Sequence, residues 1–225
     1  MNVLGIDSAT EACSAAVLRD GSLLSHRFET MQRGHAEVLM PLIQEVMRDA
    51  EMMFGALDLI ATTVGPGGFT GLRIGLASAR ALALAAAIPI IGVTTLEAVA
   101  RAQQTENMPT LITLDSKRED VYLQLFDRDV APLTKPDALL PADIAAILPA
   151  GSVAIGGSAR DSVMAALADR TPPLVVTSGP LLPDAAFVAS IGLERFAEGP
   201  AIANRPPSPL YLRSPDARLP GDRQT

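Results

Sequence analysis

The sequence predicts an α/β protein built as two lobes that repeat one order of elements. Three observations carry this expectation. Short β-branched apolar runs alternate with stretches of helical spacing, and a polar segment from Gln103 to Pro109 interrupts the alternation once, near the middle. The plan then starts again, so that Asp115 closes an apolar run just as Asp7 does near the beginning. The halves share an order of elements more than they share residues, which makes the duplication an expectation about structure.

In the first half, residues 3–6 form a strand leading to Asp7, residues 8–12 a small polar turn, and residues 13–18 a second strand. Asp20 and Gly21 suit the positive backbone angles of a tight reversal, so residues 22–29 return as a third strand. From His35 the spacing becomes helical. Val38, Leu39, Leu42, Ile43, Val46 and Met47 share one stripe that runs to about Ala50, and Pro41 is tolerable near the first turns. Residues 58–64 read as a buried strand, followed by the loop Gly65-Pro66-Gly67-Gly68-Phe69 and an Ala-rich helix to Ala87 with Thr70 as its N-cap. A strand over 88–93 and a helix capped by Thr95, with Glu97 in its first turn, run to about Gln104.

The second half opens with a strand over 110–114 ending in Asp115, a polar turn over 116–120 and an alternating strand over 121–126. A short helix over 141–148, a strand over 153–155 ending at Gly156-Gly157, a helix over 161–169, a strand over 174–177 and a helix over 184–198 follow. The expected division is residues 1–106 as an N-terminal lobe, 107–200 as a C-terminal lobe and 201–225 as a Pro-rich tail. Within the tail, Leu210, Tyr211 and Leu212 dock on the body and the remainder frays.

Composition bounds the function. A chain of 225 residues with 48% hydrophobic content buries an ample core. Its net charge of −7 and pI near 4.8 argue against independent nucleic-acid binding, so any RNA is held mainly by a partner. The single cysteine, Cys13, rules out an internal disulfide framework and reads as a buried thiol. Met1 to Val3 enter a strand directly, with no basic region or cleavage signal, and the apolar run over 81–93 is too short for a membrane span and is broken by Pro89. The expected location is the cytoplasm.

The chemistry centres on the loop and helix after residue 64. Gly71, Gly75 and Ala79 fall at i, i+4 and i+8, a line of small residues that admits a close neighbour, although each interior glycine costs about 1 kcal/mol relative to alanine. The neighbour is either the chain's own sheet or a partner. Arg73 and Arg80 share another face, solvated or at a partner's rim. No lysine follows the glycine-rich loop, so it is not a Walker A motif. Asp7 and Asp115, each read at the carboxyl end of a leading strand, would face each other across an interlobe cleft, and Gly156-Gly157 could admit an adenosine there. The plainer alternative, which we favour, is that both acids cap their own turns, because Ser8-Ala9-Thr10 lacks a glycine that would let phosphate approach. His26 and His35 have no neighbour at metal-ligand spacing, and no nucleophile-base pair can be assembled.

Gly65-Pro66-Gly67-Gly68-Phe69-Thr70-Gly71-Leu72-Arg73-Ile74-Gly75, the opening Leu4-Gly5-Ile6-Asp7-Ser8-Ala9-Thr10, the stretch from His35 to Ile43 and the terminal Leu210-Tyr211-Leu212-Arg213 resemble the bacterial TsaB (YeaZ) family. The match is specific over about the first hundred residues and looser beyond them. The resemblance implies the actin-like ATPase fold of sugar kinases and Hsp70, in two duplicated lobes. It implies a non-catalytic subunit of the machinery that installs threonylcarbamoyl on the adenosine beside the tRNA anticodon. The partners it implies are the metal-bearing TsaD, with TsaE in the larger complex, or a second copy of the chain when alone. Its catalytic relative uses a His-x-x-x-His metal site, and here Leu39 stands four residues after His35. No cofactor of its own is implied, while ATP or ADP is admissible at a vestigial nucleotide cleft (Asp7, Asp115, Gly156, Gly157) or at the partner interface.

Family members pair through two helices that correspond here to residues 35–50 and 70–87. The expected interface is therefore His35, Leu39, Ile43, Thr70, Gly71, Leu72, Arg73, Gly75, Leu76, Ala79 and Arg80. In this expectation the leucines and Ile43 supply apolar area, the glycines permit close approach, and the arginines orient the rim. Gly75→Leu should then abolish pairing and leave the monomer folded. Two other classes compete. A free-standing ATP-dependent small-molecule kinase or carbamoyltransferase of the same fold needs intact phosphate-binding turns, and a peptidase needs a metal pair or triad.

Overall fold

The computed structural model describes residues 1–103, 107–199 and 206–213. The boundary expected at Gln103 to Pro109 lies partly outside the described residues, as do 201–205 and 214–225 of the tail. Among the described residues, ten strands form two five-stranded sheets of matching design. In the first, β1 (Asn2–Thr10), β2 (Ala12–Arg19), β3 (Ser22–Thr30), β4 (Leu59–Gly65) and β5 (Ile90–Thr94) lie in the order β3-β2-β1-β4-β5. The second holds β6 (Thr110–Asp115), β7 (Val121–Phe126), β8 (Asp137–Leu139), β9 (Ala154–Gly156) and β10 (Val175–Val176) in the order β10-β9-β6-β7-β8. In both sheets the first three strands pair antiparallel and the later two add parallel to the first. The repeated plan is thus present in the hydrogen bonding.

Helices α1 (His35–Asp49) and α2 (Phe69–Ala86) cover one face of the first sheet, where Leu4, Ile6 and Val17 meet Leu39, Ile43, Val46 and Ala79. Each fully buried leucine or isoleucine there contributes about 1.5–3 kcal/mol. The opposite face is covered by α5 (Ala185–Glu198), whose Val188, Ala189 and Ile191 pack on Val3, Ala16 and Leu59. Helix α5 follows the second sheet in sequence yet packs on the first. Helix α3 (Thr95–Ala102) reaches the other way: Leu96 and Val99 join Ile112, Leu114 and Phe126 of the second sheet, while Ala98 stays in the first-sheet core. The remaining face of that sheet is closed by a 3₁₀ segment (Pro141–Ile147) and α4 (Arg160–Ala166). This exchange of α3 and α5 interlocks the lobes, and Arg101 with Glu194 and Arg195 with Glu97 pair across the two helices.

Several expectations need correction. Residues 8–10 are strand, because β1 and β2 stay paired through Thr10 and Ala12 and only Glu11 turns the chain. Thr70 is not the cap of α2. The cap is Gly68, whose amide donates to the Ala9 carbonyl at 2.8 Å and ties the helix start to the end of β1. The cap of α3 is Thr94, one residue earlier than expected: its hydroxyl accepts from the Glu97 amide while the Glu97 carboxylate accepts from the Thr94 amide, a closed capping box. The helix expected over 141–148 is 3₁₀, and β8 and a 3₁₀ turn at Phe54–Ala56 carried too few periodic residues to be read. The Asp20-Gly21 reversal stands as expected, with φ of 52° and 80°. Helix α2 has 18 residues and a mean hydropathy of 1.2, long and apolar enough to cross a membrane by composition, but its Gly71 to Ala83 face lies against β1 and β4.

Candidate functional site

Two surfaces arise where the lobes meet and where α1 and α2 turn outward. The first is a cleft of about 580 Å³. Its first-lobe wall is the end of β1 and the opening turns of α1 and α2, including Arg33, His35, Gly67 and Thr70; its second-lobe wall includes Asp115, Lys117, Tyr122 and Ser158. Lys117 spans it. Its Nζ donates to Glu11 Oε1 at 2.6 Å and to Asp115 Oδ2 at 2.9 Å. These carboxylates hold the Lys117 ammonium above its usual range. Burial pushes the Asp115 carboxyl up, but the hydrogen bonds from Lys117 outweigh it and hold the group below its ordinary value.

Asp7 does not join Asp115 in the cleft. It lies inside β1 rather than at its end, is fully buried, and accepts from the Thr63 hydroxyl at 2.7 Å and from the Ala9 amide at 3.2 Å. Burial pushes its carboxyl up to about 7, against those two donors. Asp115 likewise accepts from the Lys117 amide at 2.7 Å. Both acids therefore cap their own downstream amides, the plainer of the two sequence readings. Nor is there open space beside Gly156: a Cβ there would stand 2.7 Å from both Gln103 Oε1 and Thr177 Oγ1. Gln103 fills the place expected to admit an adenosine, donating to the carbonyls of Val99 and Pro180 at 2.9 Å each. Gly157, at φ 91°, is closed by the Thr113 carbonyl. Cys13 is buried, which pushes its thiol up to about 12.

The second surface is the outer face of α2. Here the expected roles reverse. Leu39, Ile43, Leu72, Leu76 and Ala79 are buried in this chain's own core, as are Gly71 and Gly75, so none offers area to a partner in this structure. The glycines face β1: a Cβ on Gly71 would stand 2.1 Å from the Ser8 carbonyl oxygen, and one on Gly75 2.4 Å from Ser8 Oγ. His35 is tethered inward, with Nε2 2.8 Å from the Thr10 carbonyl. Arg73 and Arg80 are not a free rim, since the chain's own C-terminal segment holds them through Tyr211 and the Pro207 carbonyl.

What α2 turns outward is Thr70, Ala77, Ala81 and Leu84, one stripe at i, i+7, i+11 and i+14. Leu84 is 84% exposed. On α1, Pro41, Gln44 and Arg48 are exposed. Sequence reasoning passed over this stripe because α2 is apolar on both faces, so periodicity alone did not choose between them.

The profile of the family described as TsaD, tRNA N6-adenosine threonylcarbamoyltransferase, matches residues 24–168. The chain is similar to the tRNA threonylcarbamoyladenosine biosynthesis protein TsaB of Escherichia coli, at 34% identity over 98% of this chain and 99% of the relative. It superposes on the solved structure of YeaZ from Pseudomonas aeruginosa with a TM-score of 0.80 at 27% identity, covering 94% of this chain and 99% of that one. The ROK hexokinase of Thermus thermophilus shares the fold alone, with a TM-score of 0.53 at 16% identity over 88% of this chain and 100% of the hexokinase. The two-lobed architecture is that of the actin-like ATPases.

Proposed function

Because this chain belongs to the TsaB (YeaZ) family, whose members are named for tRNA threonylcarbamoyladenosine biosynthesis, we propose that it serves that pathway as a non-catalytic scaffold for the metal-bearing threonylcarbamoyltransferase, TsaD. The observation that carries this reading is the outer stripe of α2. Ala77 and Ala81 leave the helix backbone approachable and Leu84 projects beyond it, an arrangement that suits a helix of a partner laid alongside. A second copy of the chain meets the same stripe when that partner is absent, and TsaE joins the larger complex.

The cleft supports the scaffold reading over a free-standing kinase or carbamoyltransferase. In it Lys117 is held by two carboxylates, while outside it Gln103 occupies the space beside Gly156 and Asp7 is withdrawn into the sheet. The test is threonylcarbamoyl transfer to unmodified tRNA with bicarbonate, threonine and ATP, using the transferase with and without this chain and with Leu84→Asp. Transfer that requires the wild-type chain and fails with the variant supports the reading. Transfer that proceeds equally without the chain overturns it.

A further inference from the structure

The two lobes are connected covalently through α3 and ahead of α5, the helices exchanged between them. A third connection is made by the C-terminal segment. It begins on the first lobe, where the Pro207 carbonyl accepts from Arg80 and Pro207 packs over Gly92. The Leu210 amide then donates to the Val64 carbonyl at 2.7 Å, at the end of β4. Next, the Tyr211 hydroxyl accepts from Arg73 Nε at 3.1 Å, while its ring lies 5.6 Å from that of Phe69 and the Arg73 guanidinium sits 3.5 Å over the Phe69 ring. Two residues later the segment reaches the second lobe. Arg213 pairs with Asp120, donates to Ser116 Oγ at 3.2 Å and stands 5.4 Å over the Tyr122 ring.

Phe69, Ser116 and Tyr122 are themselves walls of the cleft, so the segment crosses from one wall to the other. We infer that residues 207–213 are an interlobe clasp, which fixes the width of the cleft by tying the first turn of α2 to the β6–β7 turn. The other tie across the cleft, Lys117 to Glu11, joins side chains that are 59% and 44% exposed, and an ion pair so open to water contributes little. The clasp combines a backbone hydrogen bond, the Tyr211 hydroxyl and ring held by Arg73 and Phe69, and an ion pair whose partners are each 21% exposed. It is therefore the stronger of these two restraints on the width of the cleft, and it needs no partner to act.

The full chain carrying Ser22→Cys on the first lobe and Lys135→Cys on the second, both exposed, takes a pair of nitroxide labels, while buried Cys13 stays unlabelled. Electron–electron distance measurement should give one narrow interlobe distribution for the labelled chain. Arg213→Ala, which cuts the second-lobe anchor, and Tyr211→Ala, which cuts the first-lobe anchor, should each broaden it toward longer distances, and Arg213→Lys should restore the narrow form. If the distribution of either alanine variant superimposes on that of the parent, the segment is a passive cover and the clasp is wrong.

Discussion

Ser8 and Gly71 grip each other: the Ser8 hydroxyl donates to the Gly71 carbonyl at 2.9 Å, and the Ser8 carbonyl oxygen occupies the space where a Gly71 side chain would begin. The approach of α2 to β1 is thus set by backbone on both sides. Gly71→Ala must push one backbone away from the other, and overpacking of this kind costs about 1–3 kcal/mol or more. Gly75 crowds the Ser8 hydroxyl, a side chain that can rotate at the cost of its bond to Gly71, so Gly75→Ala should be the milder of the two. Gly75→Leu has no such relief and should lose the fold rather than pairing alone. Urea unfolding of the three variants checks the order.

Leu84 should behave in the opposite way. It is 84% exposed, so Leu84→Asp leaves monomer stability within about 0.5 kcal/mol. On the outer stripe of α2 it should weaken association with the transferase by about tenfold or more, some 1.4 kcal/mol. Thermal unfolding and titration calorimetry on one preparation separate the two effects. A variant that associates as the parent does would move the partner surface off α2.

Much of this architecture was legible in the sequence, and the exceptions have physical causes. Helical and apolar spacing locate most elements of the first lobe because they bury a continuous stripe, as Leu39 to Met47 do in α1, while β3, with no fully buried residue, follows from the Asp20-Gly21 reversal. In the second lobe β8 is not legible, since it is three residues long and held by ladder bonds more than by a pattern of its own, whereas the strand expected over 174–177 is β10, shortened to Val175–Val176. Packing at the candidate site was hidden for another reason. A line of small residues marks a close neighbour but not its identity, and Ser8 lies 63 residues away from Gly71 in sequence. The assignment of α3 and α5 to opposite sheets is likewise a long-range choice, invisible to local periodicity. The terminal Leu210-Tyr211-Leu212 was readable as a docking segment, whereas its crossing to Asp120 was not.

Two adjacent threonines offer a sharp contrast. Thr94 closes the capping box of α3, and Thr94→Ala should cost about 1 kcal/mol. Thr95 is fully buried and its hydroxyl has no partner among the described residues. Thr95→Val keeps the shape and removes that unpaired group, so it should leave stability unchanged or raised. Chemical denaturation of both variants checks the pair, and a loss at Thr95→Val as large as at Thr94→Ala would place the working cap one residue later.

Asp7 makes stability depend on pH. Burial, the largest influence, raises its carboxyl from 3.8 to about 7, the donors Thr63 and Ala9 oppose it, and the nearby Asp184 charge adds to the rise. In the unfolded chain the group titrates near its ordinary value. Across the interval from about pH 4 to about pH 7, the folded chain therefore holds a proton that the unfolded chain has released, and stability falls as pH rises. The contribution is most favourable below the unfolded value and fully lost above the folded one. Asp7→Asn retains an acceptor for Thr63 and for the Ala9 amide but places an amide nitrogen where Oδ2 has no partner. Having no titrating group there, it should remove this slope. Unfolding midpoints measured across that interval should decline for the parent and run flatter for the variant. Parallel curves would mean that Asp7 is ionised in the folded chain throughout.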